Sequence, residues 1–582
     1  CFYYSDHHSS PLQSTLIALV ITIIILLILS GITISSLTNT GLFKNAKEAK
    51  NRTEDTQRQE QDLLNQYEEE LNKYTNSNSN SRWDGKVNKP ELMTGMSAIK
   101  FIDPTDSTEG SVVDTKSNDT EWYNYEDKKW ANAKTEDGSM WVWIPRYAYR
   151  IHKENGIEIQ KFDIVFLVGL TDNYYDENGK LQTAQRQTSE NQTIVTNGDT
   201  YTVHPAFTNE SSINYANGGW DKELAGIWVA KFEAGYASGN NSAPVKASSV
   251  NYSQMTSIVP AKEAGTTNTV TTTARNWLDG EYSIKNGTNY EWKDGKETAI
   301  KYPTFQGLTY SMNYINMNDA FKISRVLAEN ENIYGFSNTS TDSHLMKNSE
   351  WGAVAYLSDS EYGLNGNDII LNNVTLSNSI KSAYGVTGCA GETYDGNNVS
   401  TTIEAINNKT QEGIYTWREK KGILASSTGT IYGIYDLTGG TTEHVAGLIN
   451  NENEKLETYA NYVMSELKNG KSTKYITVYP HDNAQDNVTI TNTVANLKIA
   501  KGANYIKNTK IYGDGIRETS TEGIGNTSWY GAYSYYAGLY EPLFIRGGSY
   551  GGTSDAGLFA FAGKRVDSSI CNWGFRVVLV SL

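Results

Sequence analysis

The chain has 582 residues, more than one hydrophobic core usually organises, so several structural units are expected. Its formal net charge of -16 argues against proteins that bind a nucleic-acid backbone, because those need a basic face. Tyr (39), Trp (13) and Gly (50) are abundant while Pro (10) is scarce. This composition is typical of β-rich extracellular domains and of recognition surfaces.

Three cysteines, Cys1, Cys389 and Cys571, are too few for a disulfide framework. The chain has no CxxC pair, which argues against a thiolate zinc site. A bridge between Cys389 and Cys571 and a pair of free thiols both remain open.

Residues 16–34 form an apolar run without a charge, LIALVITIIILLILSGITI. About 19 such residues suffice for a helix to cross a bilayer. Residues 1–36 are therefore predicted to be a membrane-spanning helix. Lys44, Lys47, Lys50 and Arg52 follow it and favour a cytoplasmic location for that side, whereas the acidic, Tyr- and Asn-rich remainder favours export.

Residues 14–74 resemble the N-terminal helix of type IV pilin-like proteins of Gram-positive bacteria. The resemblance implies a helix that packs in a filament core or stays in the membrane. Gln13 stands where those proteins have the Gly at which a leader is cut, and Ala18 stands where most pilins have Glu. Pilus assembly is thus one expectation and simple membrane anchorage the other.

The chain beyond this helix divides by composition. Residues 37–82 read as a helical stalk that ends in an Asn/Ser linker, TNSNSNS at 75–81. Residues 83–225 read as a β-rich accessory region, and residues 226–582 as a ligand-binding domain with polar insertions at 238–300, 360–425 and 450–510. The predicted fold class is α+β, with a β-rich head behind the N-terminal helix.

Apolar and β-branched runs predict strands, and apolar residues at helical spacing predict helices. A hairpin is predicted around Glu126-Asp127. Further strands are predicted at 141–145, 163–170, 226–233, 543–545 and 574–580, and helices at 310–329 and 343–357.

Four blocks occur in an informative order: GIWVAKFEAGY (226–236), a predicted helix followed by SHLMKNSEWGAVAY (310–356), TIYGIYDLTGGTTEHVAG (430–447) and FIRGGSY…GFRVV (544–578). Together they resemble the formylglycine-generating-enzyme-like branch of the C-type lectin fold. The resemblance implies that fold for about residues 226–580.

The four blocks contain residues suited to a scaffold. Asp436 leads a turn that Gly439-Gly440 can tighten. Arg546 and Arg576 are planar donors suited to tying loop carbonyls or carboxylates together. The candidate carboxylate acceptors are Glu233, Glu350 and Glu443.

The oxidase members of this family carry a cysteine pair between the RGGS and GFR blocks, and this chain has only Cys571 there. The seven histidines are scattered without ligand spacing, and His444 is expected to be a packed or surface residue rather than a metal ligand. We therefore predict that the chain is not an enzyme.

The ending RGGS…GFR also resembles the variable proteins of diversity-generating retroelements. In those proteins the stretch between the two motifs varies and forms the binding surface. Here that stretch is 550–573. Residues 529–540 precede it and contain six aromatic side chains, part of which we expect to face the core.

The resemblance implies a cell-surface receptor or adhesin with a diversified recognition face, whose ligand is a protein or glycan on another cell, phage or host surface. Localisation is expected on the extracellular face of a bacterial cell. The predicted ligand-binding residues are Trp529, Tyr530, Tyr550, Thr553, Ser554, Asp555, Phe559, Phe561, Lys564, Arg565, Asp567, Ser568, Ser569, Asn572 and Trp573.

No cofactor is expected to be required, although a structural calcium ion would suit the many Asp and Asn side chains. Two alternatives stay open: a minor pilin whose head decorates a filament, and a metal-dependent oxidase-like enzyme of the same fold.

Overall fold

A computed structural model describes most of the chain beyond residue 86. The described residues are 87–101, 110–113, 122–186, 200–209, 218–235, 282–285, 289–292, 303–313, 315–329, 332–376, 384–391, 399–401, 411–451, 454–467, 470–483, 494–508, 511–566 and 572–582. Residues 85–582 form one compact unit.

The described chain is β-rich, and this corrects the predicted fold class of α+β with an N-terminal transmembrane helix. None of the helices in the described ranges is long and apolar enough to cross a membrane. The longest, Val494–Lys507, has 14 residues, which at about 1.5 Å per residue is shorter than a bilayer core of about 30 Å. The predicted span at 1–36 and the stalk and linker at 37–82 lie outside the described residues.

The first large sheet has seven antiparallel strands in the order β13-β26-β10-β4-β3-β1-β2. Its strands are β1 (Ser97–Lys100), β2 (Ser111–Val112), β3 (Asn132–Lys134), β4 (Met140–Pro145), β10 (Gly226–Ala230), β13 (Thr341–Leu345) and β26 (Val577–Ser581). All residues of β4 and β10 are buried, as their continuous apolar runs predict for strands covered on both faces.

The second large sheet has the order β20-β19-β23-β24-β22-β21, and β25 pairs with β19. Its strands are β19 (Thr442–Asn450), β20 (Thr477–Pro480), β21 (Ile524–Gly525), β22 (Ser534–Tyr535), β23 (Leu543–Arg546), β24 (Phe561–Lys564) and β25 (Trp573–Phe575). β25 and β26 flank Arg576, so the end of the chain takes part in both large sheets.

Smaller sheets complete the β structure. They are formed by β5 (Tyr147–Glu154), β6 (Ile157–Phe166) and β9 (Thr202–Val203); by β7 (Asn173–Tyr175) and β8 (Leu181–Thr183); by β11 (Tyr282–Lys285) and β12 (Asn289–Trp292); by β14 (Val374–Leu376), β15 (Tyr384–Gly385) and β17 (Val399–Thr401); and by β16 (Cys389–Gly391) and β18 (Ile414–Thr416).

Five α-helices lie in the described ranges: α1 (Met317–Arg325), α2 (Asn348–Asp359), α3 (Glu454–Tyr459), α4 (Asn461–Ser465) and α5 (Val494–Lys507). The predicted helix at 310–329 is wrong over its first residues. Asn316 caps α1 by accepting a hydrogen bond from the Asp319 amide, and such a cap starts a helix. The predicted helix at 343–357 begins later, at Asn348, because residues 341–345 form edge strand β13.

The predicted strands at 141–145 and 543–545 are confirmed. The predicted strand at 574–580 is instead two strands, β25 and β26, which lie in different sheets on either side of Arg576. The strand predicted at 163–170 runs from Ile157 to Phe166, and the strand predicted at 226–233 ends at Ala230. The hairpin turn at Glu126-Asp127 is present, but a single bridge, between Asn124 and Lys129, flanks it.

The main core spans both regions that composition separated at residue 225. β4, from the accessory region, pairs with β10 along its full length, from Gly226 opposite Pro145 to Ala230 opposite Trp141. Trp122, Trp143 and Trp228 pack within this core, with Trp143 and Trp228 ring centroids 5.3 Å apart. Residues 87–225 and 226–582 therefore share one sheet and one core.

Candidate functional site

Arg546, at the end of β23, holds the start of the C-terminal loop. It is fully buried. Its Nε donates to the Ala560 carbonyl at 3.0 Å, Nη1 to the Asp514 carbonyl at 2.7 Å and Nη2 to the Gly515 carbonyl at 3.2 Å. Because a guanidinium presents its donors in a rigid plane, one side chain ties β23 to two other backbone segments, at Asp514-Gly515 and at Ala560.

Gly547 and Gly548 make the sharp turn that follows Arg546. Their φ angles are +81° and +73°, a region that residues with a Cβ rarely adopt. A Cβ on Gly548 would lie 2.5 Å from the Ala556 Cα. The loop then closes on itself, since the Gly557 amide donates to the Gly547 carbonyl at 3.1 Å.

Arg576 fixes the other end of the segment. It pairs with Glu443 at 2.6 Å and donates to the carbonyls of Ala230 and Tyr435, each at 2.7 Å. Both members of the ion pair are buried. Burial raises the pKa of Glu443 to about 7 in spite of the adjacent guanidinium.

The other predicted scaffold residues have different partners. Glu233 accepts hydrogen bonds from Ser311 and Thr441, and Glu350 accepts one from the Lys347 amide. The predicted pairing of an arginine with a carboxylate is thus confirmed for Glu443. Asp436 sits at φ +63° and accepts from the Gly388 amide, which suits its predicted place in a turn.

The predicted ligand-binding residues fall into groups of different exposure. Tyr550, Phe559, Phe561 and Trp573 are buried, and Thr553, Ser554, Asp555 and Arg565 are exposed. Trp529, Tyr530, Lys564 and Asn572 are partly exposed. Asp567, Ser568 and Ser569 lie outside the described residues.

Two short 3-10 turns stand side by side on this part of the surface, at Trp529–Gly531 and Thr553–Asp555. Asn526 Nδ2 donates to Asp555 Oδ1 at 2.7 Å, and the Tyr533 amide donates to the Asp555 carbonyl at 3.0 Å. The structure therefore brings the 529–540 stretch and the 550–573 stretch together. We call the surface formed by these two turns, with Lys564 and Arg565, the tip face.

Each of the two turns contains a non-glycine residue at positive φ, Tyr530 at +60° and Thr553 at +49°. Thr is β-branched, so this conformation costs it more than most residues. Such strain persists where the surroundings hold it, and it concentrates at functional sites.

A buried aromatic cluster supports the tip face from below. The Phe559 ring lies 5.4 Å from that of Trp529 and 6.1 Å from that of Tyr530. Phe162, on β6, lies 4.9 Å from Trp529. Phe559 is therefore a buried core residue that supports the tip face from below and is not available to a ligand.

Tyr530 is held by residues distant in sequence. Its hydroxyl donates to Asp359 and lies 2.8 Å from the Gln160 carbonyl. Burial raises the pKa of Asp359 to about 7. No motif in the sequence pointed to Gln160 or Asp359, because both act on the face through tertiary contacts alone.

The tip face also includes Tyr533 and Tyr535, which lie beside the two turns. Tyr533 and Tyr535 are partly exposed and pack on Ile545, Ala562 and Trp573. Tyr536 is buried, which confirms that part of this aromatic stretch faces the core.

Neither the protein-family models nor the curated proteins include a match to this chain. Within the described ranges, no group of three or more His, Cys, Asp or Glu side chains is placed to hold a metal ion. Cys389 is buried with a free thiol, and Cys571 lies outside the described residues. His444 is buried, and its Nε2 lies 3.1 Å from the Ile315 carbonyl.

Proposed function

We propose that this chain is a cell-surface recognition protein and that the tip face binds its ligand, a protein or a glycan. The observation that carries the proposal is the contrast between exposed loop residues and buried anchoring residues within the segment 546–576. Thr553, Ser554 and Asp555 are exposed at a turn whose flanks are tied down by Arg546 and Arg576. Exposed loops on a rigid support are where proteins place selectivity.

The chemistry of the tip face suits non-covalent recognition. Tyr530, Tyr533 and Tyr535 offer partly exposed rings with hydroxyl tips, which give large contact area at low entropic cost. Lys564, Arg565 and Asp555 place charges of both signs around them. Aromatic anchors within a polar surround are typical of binding hot spots.

We further propose that the exposed positions of 550–573 are diversified by a retroelement. Substitution at exposed positions usually changes stability by less than about 0.5 kcal/mol, so Thr553, Ser554 and Arg565 can be exchanged while the fold stays intact. Phe559 and Phe561 are buried, and we expect them to vary less than the exposed positions.

Sequencing of the DNA around the gene tests diversification directly. We expect a near-copy of the codons for 546–576 beside a reverse transcriptase gene, with differences confined to adenines and concentrated in the codons of exposed residues. A single copy of this segment in the genome would rule out retroelement diversification and leave a fixed binding protein or a minor pilin.

A binding screen tests recognition independently of diversification. The purified chain is screened against a glycan array and a library of displayed bacterial and phage surface proteins. Hits are repeated with Ser554→Arg/Arg565→Glu and with the matched surface variant Glu177→Arg, whose residue is exposed on the β7–β8 turn. Hits that both variants retain equally would refute the tip face as the binding site.

A further inference from the structure

Helix α5 leaves an apolar face exposed to solvent. Ile499 and Ile506 are 55% and 67% exposed, and Gly502 and Ala503 between them are half-buried. The four residues are spaced i, i+3, i+4 and i+7, so they lie on one side of the helix. A helix at the surface of a globular protein normally turns such an apolar stripe toward its own core. We call these four residues the α5 face.

The opposite side of α5 packs on the rest of the protein. Tyr505 is 2% exposed, and its ring lies 5.7 Å from that of Tyr536. Lys501 is also 2% exposed, and its Nζ donates to the Tyr536 carbonyl at 2.8 Å. Since the helix already has a side that faces the core, the α5 face stays at the surface and is available to a second chain.

The shape of the α5 face suits one side chain of another helix. In helix–helix packing of the coiled-coil type, a side chain of one helix inserts into a hole between four residues of the other. Ile499 and Ile506 form the two ends of such a hole, and Gly502 and Ala503 form a shallow centre that lets a partner helix come close. Ile524 on β21 borders the hole, since a Cβ on Gly502 would lie 3.4 Å from its Cδ1.

The charges around the α5 face are positive, although the chain as a whole is acidic. Residues 487–513 contain four lysines and no Asp or Glu, whereas the net charge of the chain is -16. Lys498 and Lys507 are exposed. At 3.6 residues per turn, these two lysines lie on opposite flanks of the apolar stripe. A partner that carries carboxylates beside its apolar residues is therefore electrostatically complementary to this face.

We propose that the α5 face docks an α-helix of another protein, one whose apolar stripe is flanked by Asp and Glu. Two α5 faces from two copies of this chain would bring lysines close to lysines, which disfavours self-pairing. Helices that lie on membranes usually carry Trp, Phe or Leu on their apolar side, and a flat bilayer gains nothing from the shallow centre between the two isoleucines. A helix fits both the shape and the charge of the α5 face.

Fluorescence anisotropy with a labelled acidic peptide tests the docking. The probe peptide has about three heptads with Leu at positions a and d and Glu at positions e and g, and the control peptide has Lys in place of Glu. We expect the purified full chain to bind the Glu peptide at least tenfold more tightly than the Lys peptide. Equal binding of the two peptides, or no binding of the Glu peptide at about 0.1 mM, would overturn the proposal.

Variants locate the peptide on the chain. Ile506→Asp should weaken binding of the Glu peptide at least tenfold, whereas Val112→Asp, the matched change at a 67% exposed residue of β2, should not. Lys498→Glu should reduce the preference for the Glu peptide, and Lys498→Glu/Lys507→Glu should reverse it. Since all these side chains are exposed, the melting temperature should stay that of the parent chain. Full Glu-peptide affinity in Ile506→Asp, or an unchanged preference after both lysine replacements, would contradict the assignment.

Sedimentation with phosphatidylglycerol vesicles separates a helical partner from a lipid surface. Ile499→Asp/Ile506→Asp should leave the fraction of the chain that sediments with the vesicles unchanged. A tenfold loss of vesicle binding in this variant would assign the α5 face to lipid and overturn the proposal. The tip-face variant Ser554→Arg/Arg565→Glu should bind the Glu peptide as the parent chain does, so this test is independent of the proposed function.

Discussion

Replacing Arg546 by Gln should destabilise the chain strongly, because Arg546 is fully buried and its hydrogen bonds are all made inside the protein. The guanidinium donates to three carbonyl groups, those of Ala560, Asp514 and Gly515. A glutamine amide is shorter and reaches at most one of them. The Gly515 and Ala560 carbonyls keep bonds from the Thr519 hydroxyl and the Gly547 amide. Two other buried acceptors, the Asp514 carbonyl and Asn348 Oδ1, lose Arg546 as their donor.

The expected magnitude follows from these contacts. Leaving a buried acceptor unpaired costs about 1–3 kcal/mol, so these two acceptors give roughly 2–6 kcal/mol. Arg546 is itself buried, and burial lowers its pKa to about 10, so removal of the charge offsets part of the loss. Asp514, whose charge Arg546 stabilises, loses that support. We expect a net loss of about 3 kcal/mol.

Urea unfolding followed by tryptophan fluorescence measures the change, and Arg565→Gln is the matched control. Arg565 lies on the same segment but is exposed, and its replacement should change the free energy of unfolding by less than about 0.5 kcal/mol. Limited proteolysis of Arg546→Gln should cut within 547–560 first. An Arg546→Gln variant within about 1 kcal/mol of the parent chain would refute the role of this arginine as the anchor of the loop.

Three further changes are expected. In Gly548→Ala the added Cβ would lie 2.5 Å from the Ala556 Cα, at a backbone φ of +73°. The free energy of unfolding should therefore fall by more than about 2 kcal/mol. An unchanged unfolding midpoint would contradict the turn geometry. Thr553→Gly should instead raise stability by up to about 1 kcal/mol, since glycine tolerates φ +49°, and a destabilised variant would show that the Thr side chain makes contacts that outweigh its strain. The raised pKa of Glu443, about 7 in the folded chain, means that the folded state binds this proton more tightly than the unfolded state. The contribution of protonated Glu443 to the free energy of unfolding is therefore fully present below about pH 4, and it is lost as the pH rises through 7. The melting temperature should fall between pH 5 and pH 8, and it should fall less in Glu443→Gln; equal pH slopes in the two proteins would contradict the assignment.

Local patterns in the sequence predicted the strands that form the centre of the fold. The run at 141–145 has apolar and β-branched residues without polar interruption, and this pattern is sufficient to indicate a strand covered on both faces. In the run at 574–580 one charged residue, Arg576, separates β25 from β26. Arg546 and Arg576 are recognisable in the sequence as scaffold residues because a long, planar guanidinium is suited to tying loop carbonyls or carboxylates together. Glu443 was a candidate partner for the same reason.

Where elements begin and which side chains reach the surface depended on tertiary packing. Residues 341–345 are a strand since β26 offers them an edge, while their side chains alone fit a helix equally well. Phe559 and Phe561 lie in a stretch without periodicity, so only the packing of Phe559 under Trp529 and Tyr530, and the pairing of β24 with β23, show that they are buried.

The candidate sites show the same division. The sequence by itself determined that a loop lies between Arg546 and Arg576. Paired glycines indicate a turn and apolar runs indicate strands, and both signals depend only on residues close together in the sequence. Only the tertiary structure decided that Gln160 and Asp359 support Tyr530, and that Arg325 meets Tyr475 across 150 residues. These contacts form when the core packs and brings together residues that are far apart in the sequence. No local sequence pattern predicts them.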